Sequence, residues 1–225
     1  MVGCAVYAKR LVGTMTNPVL ESRLDGLRDA LDRLSGIVDE NLRAVLLRLT
    51  YDVNISEHSP LVSIDDLAQD AREKCLLLVA REHPLATDLK YAMAALRVGH
   101  DFERIQELTL ALSKRVDRLR GTPMQELVQE MIVVVSKILK LHEAVRRTWQ
   151  RGEGREPLVI QDVQSLASEI NAQISSLQNR VLDAIANGGT NPEVFVELVL
   201  ACRHLKRIAN TLEMIPDEIH AFDKK

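Results

Sequence analysis

The segment Val98-Gly-His-Asp-Phe-Glu-Arg-Ile-Gln-Glu107 concentrates the groups in this chain whose types and spacing could do chemistry. On a helix turning about 100° per residue, His100, Glu103 and Glu107 share one strip at i, i+3 and i+7, with Asp101 to the side. Leu89, Met93 and Leu96 precede them on that strip, so an apolar stripe becomes polar without leaving its face. Tyr91, Ala95, Val98, Phe102 and Ile105 lie on the other side and read as ordinary core. One imidazole beside hard carboxylate oxygens suits iron, manganese, zinc or magnesium. The same spacing also describes a solvated acidic strip, with Glu103 and Glu107 serving Arg104 or a neighbouring helix. The spacing alone leaves both readings open.

Other chemistry lacks a pattern. The chain has no phosphate-cradling glycine loop, no Gly-x-Ser-x-Gly elbow and no His-Glu-x-x-His. It also lacks the Glu-x-x-His of di-iron bundles. His58, His83, His100, His142, His204 and His220 are scattered, and Cys4, Cys75 and Cys202 never form a C-x-x-C pair. The expectation is a protein that is not an enzyme, without a disulfide framework, in a reducing compartment. Two basic clusters, Lys114/Arg115/Arg118/Arg120 and Arg146/Arg147/Arg151/Arg155, read as solvated helix ends favoured by the macrodipole. Trp149 reads as packing over a bundle end.

The elements that must position these residues follow from composition and punctuation. Of 225 residues, 46% are hydrophobic and only 17 are Gly or Pro (10 and 7), too few turn signals for a β-sandwich or barrel. Aromatics at 3% and a net charge of -3 give no stacking platform and no pull toward nucleic acid. No apolar run approaches the roughly 18 residues of a membrane span, and Met1 to Val12 lacks a signal-peptide core, so the protein is expected to be cytoplasmic. Residues 1–14 read as a ragged start, with Met15 as an alternative initiator.

Six helices are expected. Asn17-Pro18 opens the first, whose Leu24, Leu27, Leu31, Leu34, Val38, Leu42, Val45 and Leu49 share a face. Ser63 caps the second, which runs to Glu82. Thr87-Asp88 caps the third, which stops at Gly121. Thr122-Pro123-Met124-Gln125 forms a capping box for the fourth, running to about Gln150. The fifth spans about Pro157 to Ala186. Asn191-Pro192 opens the sixth, which Pro216 interrupts.

The halves repeat. Arg104-Ile105 and Arg207-Ile208 lie 103 positions apart, with Met93, Leu96, Val98 and Phe102 matching Val196, Val199, Ala201 and Leu205. The expected fold is all-α: a ragged extension over 1–16, then two pseudo-symmetric antiparallel three-helix bundles over 17–121 and 122–225.

The stretch Leu85-Ala-Thr-Asp-Leu-Lys-Tyr-Ala-Met-Ala-Ala-Leu-Arg-Val-Gly-His-Asp-Phe-Glu-Arg-Ile-Gln-Glu107 resembles the most distinctive part of the PhoU family of phosphate-signalling regulators. Cys202-Arg-His-Leu-Lys-Arg-Ile-Ala-Asn210 is its degenerate echo. The resemblance covers about Leu20 to Ile219 as two PhoU repeats. It implies a regulator that acts by protein contact on the ATPase subunit of a phosphate ABC transporter and on a sensor histidine kinase, and a homodimer. It also implies metal bound through a Glu/Asp-x-x-x-Asp motif in each repeat. In the first repeat that motif falls on Glu103 and Glu107. In the second it falls on Lys206 and Asn210, which cannot ligate, so metal is expected at the first repeat only. The alternatives are a metal-binding or metal-sensing module unconnected with phosphate, and a helical scaffold with vestigial sites.

Overall fold

Asn17-Pro18, Pro157 and Asn191-Pro192 each mark a helix start, because proline at the first helical position forfeits only an N–H that would be unsatisfied anyway. A computed structural model describes residues 18–51, 63–119 except His83 and Leu85, 121–148 except Pro123, 157–187 and 191–220. Among the described residues the chain forms six helices and no strand. They are α1 (Pro18–Thr50), α2 (Asp65–Glu82), α3 (Ala86–Leu119), α4 (Gln125–Arg147), α5 (Pro157–Ala186) and α6 (Pro192–His220). The expected extension over 1–16, the Trp149 contact, Arg151 and Arg155 lie outside the described residues.

The caps show which signals were used. Ser63 Oγ accepts from the Asp65 N–H at 3.3 Å, and Asn191 Oδ1 accepts from the Val194 N–H at 3.4 Å. Gly121 closes α3 in the left-handed region (φ 65°), where a Cβ would be strained. Three expectations are corrected. α3 begins at Ala86, so Thr87 and Asp88 lie within its first turn. Thr122 does not cap α4: its hydroxyl donates back to the Leu119 carbonyl at 2.7 Å, and Met124 holds the N-cap position with no side-chain cap. Pro216 does not interrupt α6, which continues to His220. Proline costs a helix about 3 kcal/mol by removing a donor and crowding the carbonyl four residues back. Burial of the adjacent Leu212 and Ile215 holds the turn in place.

Each half packs three helices together, α1–α3 in one and α4–α6 in the other. Between the halves α1 lies on α4, and α3 lies extensively on α6. All eight apolar residues expected on one face of α1 are buried, in a core that runs without a break from Leu24 to Ile215. α1 also buries Ser35 and Asn41, because it meets α2, α3 and α4 at once. Asn41 donates to Gln106 Oε1 of α3 at 2.7 Å, a buried polar bond that fixes the register between the two helices.

Charged clamps set the orientation of the halves. Glu197 of α6 accepts from Arg115 at 3.0 Å and from Arg118 at 2.7 Å, both near the C-terminal end of α3. Burial alone would raise the Glu197 carboxyl, but these two guanidiniums outweigh it and hold it below its ordinary value. The Lys114–Arg120 cluster is therefore not simply a solvated helix end. Arg146 of the other cluster likewise reaches Asp32 of α1 at 3.7 Å. Asp101 and Glu218 meet at the opposite end of the α3–α6 seam, so the two helices run antiparallel.

Candidate functional site

α3 presents the two faces expected of it. Ala95, Val98, Phe102 and Ile105 are buried, and Tyr91 is half-buried. Leu89, Met93, His100 and Glu107 are exposed. Where this strip passes the start of α2, a cleft of about 490 Å³ opens. Ser63 and Asp65 line it from α2, His100, Arg104 and Glu107 from α3, and Arg207 from α6 of the other half. Glu103 also lines it, and its carboxylate is committed: Arg72 of α2 donates to it at 2.7 Å. That bond is the chief reason the Arg72 guanidinium sits above its ordinary value. His100 Nδ1 is 3.6 Å from the same carboxylate oxygen, and its side chain is 77% exposed.

The structure thus brings His100, Glu103 and Glu107 to one cleft and leaves Asp101 out of it. Asp101 turns to Glu218 of α6. Burial raises the Asp101 carboxyl, and burial followed by the charge of Asp101 raises Glu218, so the pair favours holding a proton between them. A protonated carboxyl is a poor metal ligand. As they stand, the donors do not make a finished metal site. Among the described residues no three His, Cys, Asp or Glu side chains come close enough together to hold an ion. The cysteines do not help: burial pushes the Cys75 thiol up to about 11 and Cys202 up to about 12, so both stay protonated.

The matching face of the second half has changed sign. Lys206 and Asn210 stand where Glu103 and Glu107 stand in the first, and Arg203 where His100 stands. Asn210 accepts from Asn171 of α5 at 2.9 Å instead of offering a carboxylate. His204 beside them is held below its ordinary value by burial and then by Arg115, Arg207 and Arg203. That potential repels cations.

One constellation was missed in the sequence because its members are 107 residues apart. Ser35 of α1 and His142 of α4 share a hydrogen bond at 3.0 Å, and His142 Nδ1 lies 3.7 Å from Asp39. The residue types are those of a nucleophilic relay. Both Ser35 and His142 have no exposed surface, so no substrate reaches the hydroxyl, and the trio joins α1 to α4. His142, with Arg43 adding to it against the cost of burial, holds the Asp39 carboxyl at about 2, below the ordinary 3.8. A depressed carboxylate stabilises the fold above its unfolded value and loses that contribution as pH falls through its folded one. Urea titrations of the parent and Asp39→Asn should therefore differ by about 1 kcal/mol near neutrality, after allowance for solvent screening. The gap should close between about pH 4 and pH 2. A gap that persists at pH 2 would contradict this role for Asp39.

Comparison with known proteins identifies the family. The PhoU domain model matches residues 62–116, which takes in α2 and nearly all of α3, with the cleft strip inside it. The chain belongs to the PhoU family. A PhoU homologue of the phosphate-specific transport system from Rhizobium meliloti is 21% identical, over 89% of this chain and 85% of that protein. A second, from Clostridium acetobutylicum, is 20% identical over 87% and 90% respectively. The crystal structure of PhoU from Pseudomonas aeruginosa superposes with a TM-score of 0.79 at 16% identity, over 90% of this chain and 98% of that one. PhoU from Streptococcus pneumoniae gives 0.75 at 15% identity, over 91% and 97%. At these identities the structural likeness establishes the helical fold alone. No helix among the described residues is long and apolar enough to cross a membrane.

Proposed function

We propose that this PhoU-family chain is a negative regulator of high-affinity phosphate uptake and phosphate-starvation signalling, acting in the cytoplasm by protein contact and not by catalysis. One observation carries the reading: the His100–Glu107 strip lies inside the matched PhoU domain, on a fold shared over nearly the full length of proteins named as phosphate-specific transport system accessory homologues. Its partners in this reading are the ATPase subunit of a phosphate ABC transporter and a sensor histidine kinase, and it works as a homodimer. A divalent or ferric ion on Glu103 and Glu107, with His100 beside them, belongs to the first half alone. The second half has Lys206 and Asn210 in their place.

Deleting the gene in its native host should leave phosphate-starvation transcripts switched on in phosphate-rich medium, and restoring the gene should silence them. Unchanged transcripts would remove the phosphate assignment. A helical scaffold with vestigial sites is favoured by the lack of any three-donor cluster among the described residues. That alternative predicts no metal uptake by the purified protein.

A further inference from the structure

The inference begins with the charge balance of the cleft. Asp65, Glu103 and Glu107 bring three negative charges to its lining, and Arg104 and Arg207 bring two positive ones. Arg72 supplies a third positive charge through its bond to Glu103. The cleft is therefore close to neutral, with its two signs on separate groups. A dication alone would leave it two charges positive, and a dianion alone two charges negative. Both together keep it neutral, which matters in a partly enclosed site where charges are less screened than in bulk water.

Arg104 and Arg207 hold matched positions in the two repeats, 103 residues apart. The antiparallel packing of α3 on α6 brings this pair to one cleft from opposite halves. Among the described residues neither guanidinium is in a salt bridge, and Asp101, whose charge acts on Arg104, itself favours protonation. Two uncompensated guanidinium forks suit a tetrahedral oxyanion, which each can meet with paired N–H bonds. On the other wall the carboxylates are too few to complete a metal's coordination shell. Hydrogenphosphate, with four oxygens, can meet both forks and still present an oxygen to a cation.

We propose that the cleft binds a divalent cation and inorganic phosphate as a pair, the cation on Glu103 and Glu107 and the phosphate on Arg104 and Arg207. This rests on the metal-binding reading above and adds to it a dependence on the anion. The incomplete donor set then has a reason: the ligand brings the missing donors with it. Occupancy by metal reports phosphate, and the two halves are tied together at the α3–α6 seam when both ions are present.

The test measures free manganese by its aqueous paramagnetic resonance signal, at micromolar concentrations where manganese phosphate stays dissolved. The parent and the variant Arg104→Gln/Arg207→Gln are compared in phosphate and in chloride at equal ionic strength. The parent should bind manganese at least about tenfold more tightly in phosphate, equivalent to about 1.4 kcal/mol. The double variant should lose that gain while binding manganese in chloride equally or more tightly, since two repelling charges are gone. Arg207→Gln alone should lose most of the gain, which covers the case of a double variant that folds poorly. Manganese affinity in the parent that ignores phosphate overturns the pairing and leaves the metal reading standing. No binding in either buffer overturns both. A phosphate gain that survives in both variants overturns the role of the arginines.

Discussion

Truncating Phe102 to alanine should destabilise the protein by about 3–5 kcal/mol, the largest stability loss expected of any single substitution here. Phe102 is fully buried, on the core face of the helix whose other face carries the cleft. Its ring meets the His142 imidazole edge-on at 6.2 Å, so it touches the Ser35–His142 join between α1 and α4 as well as the core. Removing it would open a cavity between α3 and α4, helices of different halves, and the surrounding side chains can close it only in part. Phe102→Leu keeps most of the volume and should cost well under half as much. Chemical denaturation of the three proteins measures this directly. A loss near 1 kcal/mol for the alanine variant would mean that the halves do not share one core.

Much of this architecture is legible in the sequence, and the reason is local. Asn17-Pro18 and Asn191-Pro192 act on their own backbone neighbours, and Gly121 takes a conformation that other residues resist, so their meaning survives without knowledge of the fold. The spacing of Leu24 to Leu49 records one buried face for the same reason. What the sequence hides is partnership across helices. Nothing near Glu103 indicates that Arg72, 31 residues earlier, would claim its carboxylate. Nothing near Glu107 indicates that Arg207 would reach the same cleft from the second half. The matched Arg-Ile pairs were visible as a repeat, but a repeat does not say that its copies will face one another. Thr122 shows the same limit on a small scale. A capping residue between two helices can serve either one, and here the end of α3 takes it. Pro216 is the opposite case, a strong local signal overridden because its neighbours are buried.

Replacing Glu103 and Glu107 with glutamine should abolish the one metal-binding event of the protein, with a fall in affinity of about a hundredfold or more. Outer partners of metal ligands alone account for roughly 10- to 100-fold. Glutamine keeps the length and most of the helix propensity of glutamate while removing the charge, so a change in binding reflects ligation and not unfolding. The competing account is that Glu103 serves only Arg72. Arg72→Gln separates the two. A cation must displace Arg72 from the Glu103 carboxylate, so this variant should bind metal more tightly than the parent if Glu103 is a ligand. It should bind no differently if Glu103 is only an ion-pair partner. The pair is half exposed, with Arg72 at 40% and Glu103 at 19%, and its loss should cost stability no more than about 1 kcal/mol. Stability therefore does not confuse the comparison. Lys206→Ala, on the matching strip of the second half, should leave binding unchanged, because Asn210 offers no carboxylate there. Calorimetric titration with manganese, iron and zinc in phosphate buffer, kept below the solubility limit of each metal phosphate, would read all four proteins. Equal binding by the parent and the doubly substituted chain would mean that the cleft carboxylates are not ligands, leaving the strip as the solvated acidic face that its spacing also allows.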